Sequence, residues 1–226
     1  MWAMQLSVII TNFKTYESAI GSEALDLAIL HAKVMQETGV SMGVAVQTTD
    51  IGRIAAAVNI PVFAQHIDPV GFGSYTGHVL PEAVKAAGAY GTLLNHSERR
   101  IVKDGDFDLL KASIKRAKEV GLYVVVCAET PEEGGEIAKL GPDLVAVEPP
   151  ELIGGDISVS TAQPEVVRGA VELIGSEKTL VGAGVKNAED VRISIKLGAS
   201  GVLLASGVTK ADDPESVLRD LASGAA

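Results

Sequence analysis

Residues 121–148 read Gly121-Leu122-Tyr123-Val124-Val125-Val126-Cys127-Ala128-Glu129-Thr130-Pro131-Glu132-Glu133-Gly134-Gly135-Glu136-Ile137-Ala138-Lys139-Leu140-Gly141-Pro142-Asp143-Leu144-Val145-Ala146-Val147-Glu148, one whole period of the pattern that runs through the chain. Tyr123 to Cys127 and Leu144 to Val147 are short apolar runs, as strands covered on both faces should be. Between them, Thr130-Pro131-Glu132 pairs a capping side chain with a proline suited to the first helical position. Gly121 and Gly141 sit between a helix and the next strand, where a left-handed ending costs least without a β-carbon.

The same succession recurs about eight times. The remaining expected strands are Ser7 to Thr11, Met42 to Val46, Pro61 to Ala64, Thr92 to Leu94, Thr179 to Gly182 and Gly201 to Ala205. Helical stretches between them carry apolar stripes, such as Ala24-Leu27-Ala28-His31-Met35 and Val166-Val167-Ala170-Val171-Ile174, that would pack onto a sheet. Gly39, Gly88 and Gly198 repeat the helix-ending punctuation, and Asp213-Pro214-Glu215 repeats the helix start. Eight such units over 226 residues, with no Ser-, Gly- or Pro-rich linker, predict one α/β domain over 1–226, a closed (β/α)8 barrel. An open doubly wound sheet has the same alternation, but the GxGxxG turn after its first strand is absent.

Composition narrows the function. The formal net charge is −10, aromatic residues make up 4% and hydrophobic residues 47% of the chain. Such a chain lacks both the basic footprint and the aromatic platforms of a nucleic-acid binder. An anionic substrate would need local donors acting against the global field, namely backbone amides and a specific lysine. Cys127 is the only cysteine, so no internal disulfide forms, and its place in a strand suggests a buried thiol. No basic leader precedes the first strand and no run approaches membrane-spanning length, so a soluble, cytoplasmic protein without membrane contact is expected.

In this barrel the active site lies where the strands end. The first strand ends in Asn12-Phe13-Lys14, the fourth in Asn95-His96, and the sixth in Glu148. His96, followed by Ser97 and Glu98, would stand at a helix N-terminus, whose dipole disfavours imidazolium and keeps the ring able to donate a proton. A cation, a neutral acid/base group and a carboxylate then meet on one rim, the set required for removing a proton next to a carbonyl. Each residue also has a plainer reading: Lys14 as a solvated strand-end lysine, Asn12 as a turn residue, Glu148 as the partner of an arginine. No His, Cys and carboxylate cluster has metal-ligand spacing, so no metal is expected.

Asn12-Phe13-Lys14, Gly73-Ser74-Tyr75-Thr76-Gly77, Asn95-His96-Ser97-Glu98-Arg99-Arg100 and Val147-Glu148-Pro149-Pro150-Glu151-Leu152-Ile153-Gly154 together resemble successive motifs of the triosephosphate isomerase family, from end to end. The short length, the Pro-Pro-Glu-Leu-Ile stretch, and Gly182-Ala183-Gly184-Val185 with Leu204-Ala205-Ser206-Gly207 resemble its archaeal-type branch. The resemblance implies a TIM barrel that interconverts D-glyceraldehyde 3-phosphate and dihydroxyacetone phosphate, without metal or organic cofactor, in glycolysis and gluconeogenesis. It implies Glu148 as the base, His96 as the group that polarises and reprotonates the oxygens, Lys14 as the stabilising charge and Asn12 as the residue that orients it. Gly154, Gly184, Ala205 and Ser206 would offer backbone N–H groups to the phosphate, with a short helix beginning at Ser206.

Pro149 to Asp156 reads as a lid that would lay Ile153 over the site and exclude water. Asp156 stands where the resembling family usually has glycine, so its carboxylate would either repel the phosphate or cap the lid's last turn. Gly71 to Gly77 carries Phe72 and Tyr75 where a monomer would leave them exposed. The resemblance implies that this loop docks into a second subunit near Lys14 and His96, making a homodimer or homotetramer. A different phosphate-binding barrel would share the turns after the seventh and eighth strands but not the Lys14, His96 and Glu148 set. A non-catalytic paralogue would have lost one of those three, and none is lost.

Overall fold

The computed structural model describes residues 8–152 and 158–225. Eight parallel strands run as β1 (Val8–Asn12), β2 (Met42–Val46), β3 (Val62–Ala64), β4 (Gly91–Leu94), β5 (Tyr123–Ala128), β6 (Leu144–Val147), β7 (Thr179–Gly182) and β8 (Gly201–Leu204). Each pairs with the next in chain order, and β1 pairs with β8 from Val8↔Gly201 to Thr11↔Leu204, so the sheet closes. Closure rules out the open doubly wound sheet. The helices outside it are α1 (Gly21–Thr38), α2 (Ile51–Ala57), α3 (Pro81–Ala86), α4 (Asp108–Glu119), α5 (Pro131–Ala138), α6 (Val159–Ala162), α7 (Pro164–Ile174), α8 (Ala188–Lys196), α9 (Ser206–Thr209) and α10 (Pro214–Ala225). None of them is long and apolar enough to cross a membrane, among the described residues.

Strand periodicity sorts the side chains into two cores. Val8, Ile10, Ala45, Phe63, Leu93, Val125, Cys127, Leu144, Ala146, Leu180 and Leu203 fill the barrel interior. The alternate positions, among them Ile9, Val44, Leu94, Val126, Val145 and Val202, pack outward against the helices. The interior is thus a packed core and not a pore. Two residues beyond Ile10 and Ala146 on the same inward face come Asn12 and Glu148, where apolar filling gives way to the open rim.

Local chemistry explains the element ends. Gly39, Gly88, Gly121, Gly141 and Gly198 all take φ between 74° and 102° at the rim opposite that one. Thr130 Oγ1 accepts the N–H of Glu133 at 3.2 Å and Asp213 Oδ1 that of Ser216 at 3.1 Å, capping α5 and α10. On α1 the buried stripe ends at Val34, while Met35 is half-buried and its sulfur accepts the Met42 N–H at 3.5 Å.

That stripe contains a fully buried histidine. His31 Nδ1 lies 2.7 Å from the Leu27 carbonyl, which can only accept, so Nδ1 carries the proton. Nε2 then accepts from the Thr11 hydroxyl at 2.8 Å, tying α1 to the outer face of β1. Burial in an apolar layer lowers its pKa from 6.5 to about 4, against a smaller opposing effect of the Leu27 carbonyl. Between pH 6.5 and about 4 the unfolded chain binds a proton that the folded chain refuses. Stability is therefore lost as pH falls through that window, by up to about 3 kcal/mol from this group. Urea unfolding of the parent chain and of His31→Gln from pH 7 to 4 checks this: the variant, though less stable at pH 7, is expected to show the flatter profile by about that amount.

Candidate active site

The rim at the C-terminal ends of the strands collects the residues singled out in the sequence. Asn12 ends β1, and Lys14 follows two residues later in a left-handed conformation, φ 50°. Asn12 Oδ1 accepts the Lys14 N–H at 3.0 Å, and Lys14 Nζ donates to Glu98 Oε1 at 2.8 Å. The lysine is therefore anchored at its backbone by the first strand and at its tip by the loop after β4.

That loop turns on Asn95, also left-handed at φ 59°. Its Oδ1 accepts the N–H groups of Ile101 and Val102 at 2.8 and 2.9 Å, and its Nδ2 donates to the Cys127 carbonyl at 2.9 Å. His96 is thereby set at the start of a single 3-10 turn, Ser97–Arg99, and not of an α-helix. One turn carries little macrodipole. The ring is oriented instead by a bond to the backbone: His96 Nδ1 accepts the Glu98 N–H at 3.2 Å. An accepting Nδ1 leaves the proton on Nε2, which faces Glu148 Oε2 at 3.8 Å.

Glu148 follows β6 and is 6% exposed, yet its Oε2 has no hydrogen-bond partner among the described residues. A buried carboxylate oxygen without a partner is costly and uncommon. The motif's Arg100 does not relieve it, being held bidentately by Glu133 at 2.7 and 3.0 Å. Space for the Glu148 side chain comes from Gly182 at the end of β7, where an added Cβ would stand 2.5 Å from Glu148 Oε1 and overlap its Cγ. Beneath it lies Cys127, buried as expected; burial first, then the Glu148 carboxylate, pushes its thiol well above the usual range.

The turns after β7 and β8 close the other side. Ala183 and Gly184 are both left-handed at φ 71°, and Ala205 caps the four-residue α9 that begins at Ser206. The first N–H groups of such a helix have no acceptor within it. Asn12, Lys14, His96, Glu148, Gly184, Ala205 and Ser206 line one cavity. Ile153 and Gly154, with the rest of the lid through Asp156, lie outside the described residues, as does the start of the chain.

Sequence reasoning missed Glu98 as the partner of Lys14, Asn95 as the brace of the histidine loop, and Gly182 as the recess for Glu148. It also missed Gln47 and Gln65, whose side-chain amides reach the Lys14 carbonyl. The signal for Asn95 was available, since asparagine tolerates the left-handed region. Among the described residues, no group of three or more His, Cys, Asp or Glu side chains is placed to hold a metal ion.

Acid–base chemistry on a (β/α)8 barrel is the class of protein that this fold and rim define. The family model described as Triosephosphate isomerase matches residues 7–223. The triosephosphate isomerase of Methanosarcina barkeri is 47% identical over 222 residues, covering 96% of this chain and 98% of that one. That of Methanobacterium bryantii is 49% identical and covers 96% of each. The crystal structure of the Bartonella henselae enzyme superposes with a TM-score of 0.72 at 20% identity, over 93% of this chain and 97% of that chain, a likeness of fold. The chain belongs to the triosephosphate isomerase family and is an isomerase of the archaeal type.

Gly182→Ala tests the recess. A methyl group there must push the carboxylate aside, and displacement of a reacting group by about 1 Å costs on the order of a hundredfold in rate. Turnover is expected to fall by about that factor while the far-ultraviolet circular dichroism spectrum is unchanged. A variant of full activity would show that Glu148 does not depend on the recess.

Proposed function

We propose that Glu148, His96, Lys14 and Asn12 carry the interconversion of D-glyceraldehyde 3-phosphate and dihydroxyacetone phosphate that belongs to this family. The observation that carries the assignment is the buried Glu148 Oε2, without a partner among the described residues and 3.8 Å from the Nε2 of a histidine whose other nitrogen already accepts a backbone N–H. Glu148 takes the proton from the carbon next to the carbonyl, and the electrons of the C–H bond form the enediolate. His96 donates from Nε2 to the developing oxyanion and moves the proton between the two oxygens. The protonated Glu148 returns its proton to the adjacent carbon, which completes the isomerisation without net gain or loss of atoms. Lys14 offsets the negative charge, and Asn12 orients it through the Lys14 N–H. The amides of Gly184, Ala205 and Ser206, with Gly154 and Ile153 from the lid, would hold the phosphate. No metal or cofactor takes part in these steps.

Glu148→Gln is the direct test. A base acts mainly in the transition state, so turnover should fall by several powers of ten while affinity for a phosphate-bearing inhibitor stays within about tenfold. Comparable turnover in the variant would mean that the base is misassigned. Turnover of the parent chain should also survive exhaustive chelation, and loss restored by a divalent ion would overturn the mechanism.

Assembly into a homodimer or homotetramer through the Gly71–Gly77 loop is supported by two features. Phe72 is 80% exposed and Tyr75 48%, on a loop closed at its base by Asp68 and Val79. A cavity of about 380 Å³ beside Lys14 and His96, lined also by Gln47, Gln65, His66 and Arg99, could receive such a loop from a second copy. Work in the cytoplasm on a small phosphorylated triose belongs to the same reading, with backbone amides and Lys14 holding the substrate against the net charge of −10. Shortening the loop should give monomers of greatly reduced activity; an unaltered mass by light scattering would show that the interface is elsewhere.

A further inference from the structure

We infer that Gln47 and Gln65 are positioning residues that hold Lys14 in its left-handed backbone conformation and so set where its ammonium stands; the inference rests on the role proposed for Lys14. A non-glycine residue at φ 50° persists only where its surroundings over-determine it. Here the Lys14 carbonyl accepts from two side-chain amides at once, Gln47 Nε2 and Gln65 Nε2, each at 2.9 Å. One donor would suffice to satisfy a carbonyl; two from different strands fix its direction.

The glutamines are themselves locked together. Gln47 Nε2 donates to Gln65 Oε1 at 2.7 Å, so both of its hydrogens are committed, one to Lys14 and one to its neighbour. Gln65 Nε2 lies a further 3.3 Å from the Ala45 carbonyl and 3.4 Å from Asn12 Oδ1. Gln47 directly follows β2 and Gln65 directly follows β3, the next two strands of the barrel after β1. The direction of the Lys14 peptide is thus referred to three consecutive strands.

The placement has a chemical consequence. The direction of the Cα–Cβ bond follows from φ, and the ammonium is the far end of a long side chain. If the carbonyl swings free, the backbone relaxes toward negative φ and Nζ leaves both Glu98 and the cavity that holds His96 and Glu148. Substitution of either glutamine by methionine keeps length and bulk but removes the donors.

The test compares the parent chain, Gln47→Met/Gln65→Met, Lys14→Met, and the triple variant, using kcat and KM for D-glyceraldehyde 3-phosphate and crystal structures of the first two. In the double variant Lys14 is expected to leave the left-handed region and lose Glu98, and kcat/KM to fall about 10- to 100-fold. Where Lys14 is already methionine, the same two changes should lower kcat/KM by no more than about twofold. Lys14 unmoved in the crystal, or an equal loss in both backgrounds, would overturn the inference and leave the glutamines a general packing role. Full activity of Lys14→Met alone would instead remove the proposed role of Lys14, and the crystal structure of the double variant would still decide whether the glutamines hold its backbone.

Discussion

Closure of the sheet between β1 and β8 is the constraint on which the remaining structure depends. Once eight strands close, every second side chain must point into a space of fixed width, and that space is filled by apolar groups from Val8 to Leu203. The inward direction does not stop where the filling stops. Asn12 and Glu148 are the next inward residues after Ile10 and Ala146, so the same alternation that builds the core delivers an amide and a carboxylate to the rim. Gly182 belongs to the same layer and supplies a recess where its neighbours supply groups.

Backbone strain is concentrated on this rim. Of the four non-glycine residues with positive φ among those described, Lys14, Asn95 and Ala183 follow β1, β4 and β7. Each is tied by polar bonds: Lys14 by Asn12 and two glutamines, Asn95 by its own side chain, and Ala183 through its carbonyl, which accepts the Val159 N–H at 3.3 Å. The opposite rim reverses direction with glycine at negligible strain. One end of the barrel is relaxed and the other is held under tension by hydrogen bonds, a common distribution when geometry at a site must be sharply defined.

The repeat itself was legible in the sequence, because strand and helix periods differ and glycine marks each return. Met42–Val46, Leu144–Val147 and Thr179–Gly182 have the bounds expected from composition alone, and Thr130 and Asp213 cap the helices they precede. Four residue types at strand ends, Asn12, Lys14, His96 and Glu148, also stood out, and the structure places them around one cavity. What stayed hidden were bonds between loops. Glu98 read as a helix-opening acid because its lysine partner lies 84 residues away, and nothing along the chain sets Gln47 beside Gln65 except the order of β2 and β3. The helix expected at His96 is one 3-10 turn, since Asn95 takes the following amides that a longer helix would need.

Cys127, the chain's single cysteine, lies in the barrel interior under Glu148, with its thiol held protonated by burial and by the neighbouring carboxylate. A thiol reagent meets neither an accessible sulfur nor a thiolate while the barrel is shut. Alkylation must then wait for the barrel interior to open, and its rate becomes a clock for that opening. The protein carries its own gauge of how often the core comes apart, readable by mass spectrometry of the alkylated chain without any engineered probe.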